Sequence, residues 1–206
     1  MSAGSNSAGK VFWAGVLENN PIFVMVLGIC SSLAVTTTVK NSFVMFLGVA
    51  FATVLCSTVV SLLRHRIPPT YRMMVYMMVA STLVIVFDRL LKITLPAISK
   101  ELGPYVGLII TNCIVMGRAE AYGINNPPIL SAMDALGSCT GYGAVLIIIG
   151  CFREVFGMGT FLGLSVMPAS YEKCGLLISA PGAFLCLAML LLLVNVVRER
   201  LKGEKA

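Results

Sequence analysis

The sequence contains very little charge. Only 12% of its 206 residues are Asp, Glu, Lys or Arg, whereas 58% are hydrophobic, and the mean hydropathy is +0.93. Soluble domains carry roughly twice that share of charged residues. The composition therefore excludes a soluble enzyme and predicts an all-α integral membrane protein. The net charge of +6 lies at helix ends and in short loops, so it does not indicate binding to nucleic acid.

The chain also lacks the residues of most cofactor-binding motifs. Its single histidine, His65, lies in a basic loop beside Arg64 and Arg66, which argues against haem. There is no CxxC pair, no histidine pair at metal-binding spacing and no glycine-rich phosphate loop. We therefore expect no NADH site in this chain, and no iron–sulfur cluster held by this chain alone.

Six apolar segments account for most of the length. They are Pro21 to Val39, Ser42 to Leu63, Tyr71 to Leu91, Pro104 to Met116, Leu136 to Phe152 and Cys174 to Val197. The first and fourth are short or broken, and Pro181-Gly182 predicts a kink in the sixth. We expect a lead-in over residues 1–20, a single membrane domain over 21–198 and a tail over 199–206.

Two of these segments each carry a cysteine nine residues after a proline, Pro21 to Cys30 and Pro104 to Cys113. A helix of about a dozen apolar residues crosses only about half of a roughly 30 Å hydrocarbon core, which would place both cysteines near the midplane. The offset of 83 residues divides the chain into repeats of three segments each, about 21–95 and 104–198. A repeat with three membrane segments ends on the side opposite to where it began, so the second repeat enters the membrane from the other side and the two repeats are inverted. In such folds, paired broken helices build the functional site.

In contrast to the missing cofactor-binding motifs, the sequence contains several cysteines, whose thiols can bind metals. There are seven, an odd and scattered set that predicts no disulfide framework. We interpret five as ordinary packing residues: Cys56, Cys139, Cys151, Cys174 and Cys186. The matched setting of Cys30 and Cys113 favours a two-thiol site, which can bind a soft metal, form a redox disulfide or supply half the ligands of an iron–sulfur cluster.

Acidic residues near membrane segments are candidates for an ion pathway. Asp88-Arg89 and Arg118-Ala-Glu120 can equally be interfacial charge pairs. Asp134 has no basic residue close in sequence, which makes it the better candidate, with Asp88 second.

The distribution of basic residues predicts the orientation. With six segments, nine Lys and Arg fall on the side of the two termini, against six on the other side. Both termini are therefore expected in the cytoplasm.

Three sequence blocks resemble a known family. They are LGICSSLAVTTTVKNS from Leu27, GLIITNCIVMGRAEAYG from Gly107 and GYGAVLIIIGCFREVFGMGT from Gly141. They are similar to the paired D and E membrane subunits of the Na⁺-translocating NADH:quinone reductase, a family that includes cognate subunits of the Rnf complex. The ITNC-x-x-x-GRAE block is typical of the D branch.

The resemblance implies a six-helix protein in the bacterial inner membrane, paired with the oppositely oriented, paralogous E subunit. It implies that Cys30 and Cys113 provide two of four ligands to a two-iron two-sulfur cluster at that interface. Electrons would pass through the cluster from the F subunit to the C subunit, coupled in the complex to Na⁺ export and ubiquinone reduction. Flavins and NADH would be bound by other members of the complex, among the A, B, C and F subunits.

Two other functions fit the same residues. Inverted repeats with broken helices also form secondary transporters, in which the cysteines would line a substrate site. A scaffold for flavin-carrying subunits would need neither cysteine.

Overall fold

The computed structural model describes residues 8–13, 15–16, 21–94, 103–161, 164–165 and 179–203. The α-helices are α1 (Ala8–Trp13), α2 (Ile29–Val35), α3 (Val39–Leu63), α4 (Arg72–Thr94), α5 (Val106–Ile110), α6 (Cys113–Arg118), α7 (Pro128–Arg153) and α8 (Ala180–Gly203). Within these ranges the remaining regular structure is short 3₁₀ and π turns and one pair of two-residue strands, β1 (Thr160–Phe161) and β2 (Leu164–Ser165), which are antiparallel. The predicted all-α class is confirmed.

Three of the described helices are long and apolar enough to cross a membrane. They cover Val39–Leu63, Pro69–Thr94 and Pro128–Gly157, and a shorter apolar helix covers Pro181–Val196. The 25 residues of α3 rise about 37 Å, more than the hydrocarbon core requires. The predicted count of six segments and their inverted repeat stay predictions.

The centre of the fold is the contact between α3 and α7. Small residues allow the two helices to approach closely: Gly143 lies against the ring of Phe46, and Gly150 lies against the Ser42 hydroxyl. Val49, Ala52 and Cys56 bury one face of α3 in this core. The shorter helices α1, α2, α5 and α6 pack against this pair.

The predicted breaks in the first and fourth segments are present, and in each segment one break lies before the cysteine. Residues 21–28 form turns, with the Leu27 N–H donating to the Pro21 carbonyl at 2.9 Å, and α2 starts only at Ile29. In the second region α5 ends at Ile110, and α6 starts at Cys113. Because residues 21–28 contain no helix, the expected apolar half-helix before Cys30 is wrong, whereas helical residues 103–110 do precede Cys113.

Local residues explain these starts. Gly28 takes the left-handed conformation, with φ of 80°, and ends the preceding turn. The Asn112 side chain caps α6 by accepting a hydrogen bond from the Ile114 N–H at 3.0 Å. Each cysteine thus lies in the first turn of a short helix.

Two other boundaries differ from prediction. Helix α7 begins at Pro128 rather than Leu136, because Pro suits a first helical turn and the polar residues Ser131 and Asp134 face the core. Helix α8 begins at Ala180, and the predicted start at Cys174 lies outside the described residues. Pro181 is in the first turn of α8, and residues 166–178 on its N-terminal side, on which the expected kink depends, lie outside the described ranges.

Part of the predicted lead-in is helical. Helix α1 packs on α7, where the Phe12 carbonyl lies directly against Gly137. Any side chain at Gly137 would push α1 away, which explains the glycine.

Candidate functional site

The structure brings Cys30 and Cys113 together. Cys30 is the second residue of α2 and Cys113 is the first residue of α6. Their thiols are close enough to interact with each other across 83 residues of sequence. Both are free; Cys30 is exposed and Cys113 is partly exposed. The two thiols form a site that opens onto the surface of this chain.

A backbone group near Cys30 contacts the thiol of Cys113. The Gly28 N–H donates a hydrogen bond to Cys113 Sγ at 3.1 Å. This contact depends on the left-handed turn at Gly28, where a Cβ would lie 2.6 Å from Ile114 Cδ1. Hydrogen bonds to sulfur stabilise a thiolate ligand, so the environment of Cys113 suits metal binding.

A buried polar cluster lies behind the thiols. The Ser31 and Tyr142 hydroxyls are 2.6 Å apart, and the Asn112 amide donates to Ser31 Oγ at 3.2 Å. Ser31 thus links Tyr142 on one side to Asn112 on the other. All three side chains are fully buried, at 0% exposure. We call these three residues the Ser31–Asn112–Tyr142 cluster.

The donor set of the site is incomplete. Among the residues that the structure describes, no group of three or more His, Cys, Asp or Glu side chains can hold a metal ion. Iron–sulfur clusters and soft metals prefer thiolates, and four are needed for a cluster. The two adjacent thiols fit half of such a ligand set, and their exposure leaves room for ligands from another chain.

Asp134 is paired, contrary to the expectation from local sequence. Both carboxylate oxygens accept hydrogen bonds from Arg118, and the two side chains are only 5% and 4% exposed. Arg118 is the last residue of α6, so the ion pair ties the helix that begins at Cys113 to α7. Its guanidinium also lies 3.6 Å from the Met25 sulfur. The assignment of Asp134 to an ion pathway stays a prediction.

The other acidic candidates are also paired. Asp88 accepts a hydrogen bond from Lys92 at 2.6 Å, one turn away on α4. Glu120 accepts from the Tyr76 hydroxyl at 2.6 Å and lies 3.5 Å from Arg72. The structure thus separates Asp88, Glu120 and Asp134 into three different ion pairs. Asp88, like Asp134, remains only a predicted member of an ion pathway.

A model of the family of Rnf-Nqr subunits, which are membrane proteins, matches residues 8–191. The chain belongs to the Rnf-Nqr family. This confirms both the resemblance and the membrane class that the composition predicted.

Individual relatives are similar along almost the whole chain. The chain is 46% identical over 194 residues to a protein of Photorhabdus laumondii subsp. laumondii, covering 92% of this chain and 93% of the relative. It is 44% identical over 201 residues to one of Psychromonas ingrahamii, covering 95% and 96%. It is 45% identical over 194 residues to one of Photobacterium profundum, covering 92% of each chain. Each relative is named as the D subunit of a Na⁺-translocating NADH-quinone reductase.

Several residues around the site were not predicted from the sequence. Ser31 and Asn112 directly adjoin the two cysteines, and that adjacency was the available signal. Tyr142 stands between Gly141 and Gly143, a pattern that allows other helices to approach a polar aromatic side chain. The pairing of these three residues depends on how the broken segments cross, which no local pattern specifies.

Arg153 and Glu154 were likewise missed as structural residues. Arg153 donates to the Leu33 carbonyl at 3.2 Å and to Thr36 Oγ1 at 2.7 Å. Glu154 accepts from the Val39 N–H at 2.7 Å. Both are almost fully buried and hold the break between α2 and α3 from the end of α7. The sequence feature that could have indicated these two residues is a pair of adjacent charges directly after an apolar run.

Proposed function

We propose that this chain is the D subunit of a Na⁺-translocating NADH:quinone reductase and relays electrons across the membrane. The observation that carries the proposal is the pair of free thiols, Cys30 and Cys113, which lie close enough to interact, with Cys30 exposed and Cys113 partly exposed. The names of relatives at 44% to 46% identity support the same complex.

The two thiols supply half of the ligands of a two-iron two-sulfur cluster. The paralogous E subunit supplies the other half, because the described residues of this chain offer no third ligand beside them. When bound, the cluster supplies a one-electron carrier within the membrane. Electrons arrive from the F subunit and leave toward the C subunit, and the complex couples their passage to Na⁺ export and ubiquinone reduction.

The residues of this chain hold the thiols in place. The Gly28 N–H orients Cys113 Sγ, and each cysteine lies in the first turn of a short helix, α2 or α6. NADH and flavins are bound elsewhere in the complex, by the A, B, C or F subunits. The protein lies in the bacterial inner membrane with both termini in the cytoplasm.

Iron quantification and EPR spectroscopy on the purified complex test the proposal. Cys30→Ala and Cys113→Ala should each lose the iron and the EPR signal of one cluster, together with quinone reduction. Cys151→Ala is the matched control, because Cys151 is a partly exposed free thiol outside the site. It should leave the signal unchanged.

Normal iron content and undiminished quinone reduction in both site variants would refute the relay. A transporter instead predicts solute movement by this chain alone in proteoliposomes. A scaffold predicts that both cysteine variants assemble and work normally.

A further inference from the structure

We propose that Tyr142 is a positioning residue that sets the spacing of the Cys30 and Cys113 thiols. The inference rests on the proposed function, because the spacing of the thiols matters if they hold a cluster. The contacts from which it is argued lie within this chain and involve no bound group. Tyr142 belongs to α7, whereas the thiols belong to α2 and α6. One side chain on α7 therefore links the two helices that carry the thiols.

The connection reaches the thiols through their nearest neighbours. Ser31 directly follows Cys30, and its hydroxyl lies 2.6 Å from the Tyr142 hydroxyl. Asn112 directly precedes Cys113, and its side-chain amide donates to the same Ser31 hydroxyl at 3.2 Å. A shift of either helix start therefore has to break a hydrogen bond in this cluster.

Burial makes these hydrogen bonds hard to replace. The three side chains are fully buried, so no water is available to satisfy a hydroxyl or amide that loses its partner. Each member also fixes local backbone: Ser31 Oγ donates to the Gly28 carbonyl at 3.0 Å, and Asn112 caps α6. The hydrogen bonds run without a gap from Tyr142 through Ser31 to Asn112, which favours one geometry over alternatives.

The cluster also controls the hydrogen bond to sulfur. Gly28 belongs to the turn that Ser31 closes, and the Gly28 N–H donates to Cys113 Sγ. The Tyr142 ring lies against Gly28, where a Cβ would be 3.1 Å from Tyr142 Cε2. Tyr142 therefore supports the turn through its ring and the two helix starts through its hydroxyl.

Tyr142→Phe separates these two roles, because it removes the hydroxyl and keeps the ring. Tyr76→Phe is the matched control: Tyr76 is also fully buried, and its hydroxyl makes a 2.6 Å hydrogen bond, but to Glu120. A general loss of stability affects both variants alike. A change in thiol geometry affects only Tyr142→Phe.

The first measurement uses the full chain expressed in membranes without its partners. Phenylarsine oxide bridges two neighbouring thiols: two S–H bonds and the As=O bond are replaced by two As–S bonds and one water. The wild-type chain should capture the arsenical, and Cys30→Ala sets the background. Tyr142→Phe should slow capture about fivefold, the factor that corresponds to one neutral hydrogen bond, and Tyr76→Phe should match wild type.

The second measurement uses the purified complex. Tyr142→Phe should retain iron but shift the reduction midpoint of the EPR signal to lower potential, because the hydrogen bond to Cys113 Sγ is weakened. Tyr76→Phe should leave the midpoint unchanged. Ser31→Ala, which removes the same contact from α2, should reproduce both effects and replaces Tyr142→Phe if that variant does not accumulate.

The two proposals fail in different ways. Wild-type capture rates and midpoints in Tyr142→Phe and Ser31→Ala overturn the positioning role, while loss of the signal in Cys30→Ala still supports the relay. Absence of any iron at the thiols overturns the relay, and slower capture in Tyr142→Phe then still supports positioning. Equal effects of Tyr142→Phe and Tyr76→Phe on capture also overturn the positioning role.

Discussion

Gly28 shows how a single residue can be required by both backbone and packing. Its φ of 80° lies in the left-handed region that residues with a Cβ avoid. The space beside it is also filled, because Ile114 Cδ1 lies 2.6 Å from where a Cβ would be. Both constraints arise from the contact between two segments 85 residues apart, where the Gly28 N–H meets Cys113 Sγ.

Gly28→Ala should therefore destabilise the protein by about 2–4 kcal/mol, the sum of a left-handed strain and an overpacked contact. The expected result is a lower midpoint of thermal unfolding together with reduced iron content. Gly107→Ala is the control, because a Cβ there meets nothing within 4 Å. It should be neutral or slightly stabilising, since it replaces glycine inside α5. Equal unfolding midpoints in the two variants would contradict this account.

The ion pair of Arg118 and Asp134 predicts a second effect at the residue scale. Asp134→Asn leaves the Arg118 charge buried without its counter-ion, which typically costs about 3–5 kcal/mol. We expect a strong loss of folded protein, measured by thermal unfolding in detergent. Asp88→Asn should cost about 1 kcal/mol or less, because its partner Lys92 is 52% exposed.

A double variant distinguishes an unpaired charge from a lost shape. Arg118→Met with Asp134→Leu removes both charges and keeps comparable volume, so it should recover most of the stability. If the double variant is as unstable as Asp134→Asn, the ion pair is not the cause. A stable double variant that assembles but no longer exports Na⁺ would support the predicted ion pathway.

At the scale of elements, two adjacent residues at the end of α7 bind the backbone on both sides of the break between α2 and α3. Arg153 binds the Leu33 carbonyl and Thr36 Oγ1 at the end of α2, and Glu154 binds the Val39 N–H at the start of α3. These are the groups that a broken helix leaves without intrahelical partners. In a membrane they need protein partners, because lipid offers none.

Glu154→Ala should loosen the start of α3. It removes the acceptor of the Val39 N–H and a negative charge at a helix N-terminus, together worth about 1–2 kcal/mol. Hydrogen exchange of the amides at 36–42, followed by mass spectrometry, should become faster. Glu154→Gln keeps an acceptor oxygen and should show a smaller increase in the exchange rate. Equal exchange rates in Glu154→Ala and wild type would show that Glu154 does not stabilise the start of α3.

The elements that could be predicted from sequence are those set by local pattern. Helices α3 and α4 follow the predicted segments Ser42 to Leu63 and Tyr71 to Leu91 within a few residues, because long apolar runs specify them. The broken regions were also predicted. The turn before Cys30 was not, since the left-handed turn at Gly28 depends on its contact with α6. Likewise, the partner of Asp134 lies 16 residues away, across the turn between α6 and α7.

At the scale of the whole molecule, the structure refines the charge argument for orientation. Arg118 and Arg153 were counted with the loop charges, yet they are 3% and 2% exposed and contact buried groups. They belong to opposite sides of the count, so removing both leaves the margin unchanged. The predicted cytoplasmic location of both termini therefore depends on the basic loop around His65 and on the C-terminal residues.

The incompleteness of the thiol site predicts how this chain behaves outside the complex. It offers two thiols, and the part of the chain that the structure describes places no third metal-binding side chain beside them. The full chain purified alone should therefore hold no stoichiometric iron after mild washing with a chelator. On the proposed function, co-expression with the paralogous E subunit should restore iron and its EPR signal, because that partner would supply the two missing thiolates. Co-expression of that partner with Cys113→Ala is the control and should restore neither. Stoichiometric iron on this chain alone would show that the site is complete without a partner.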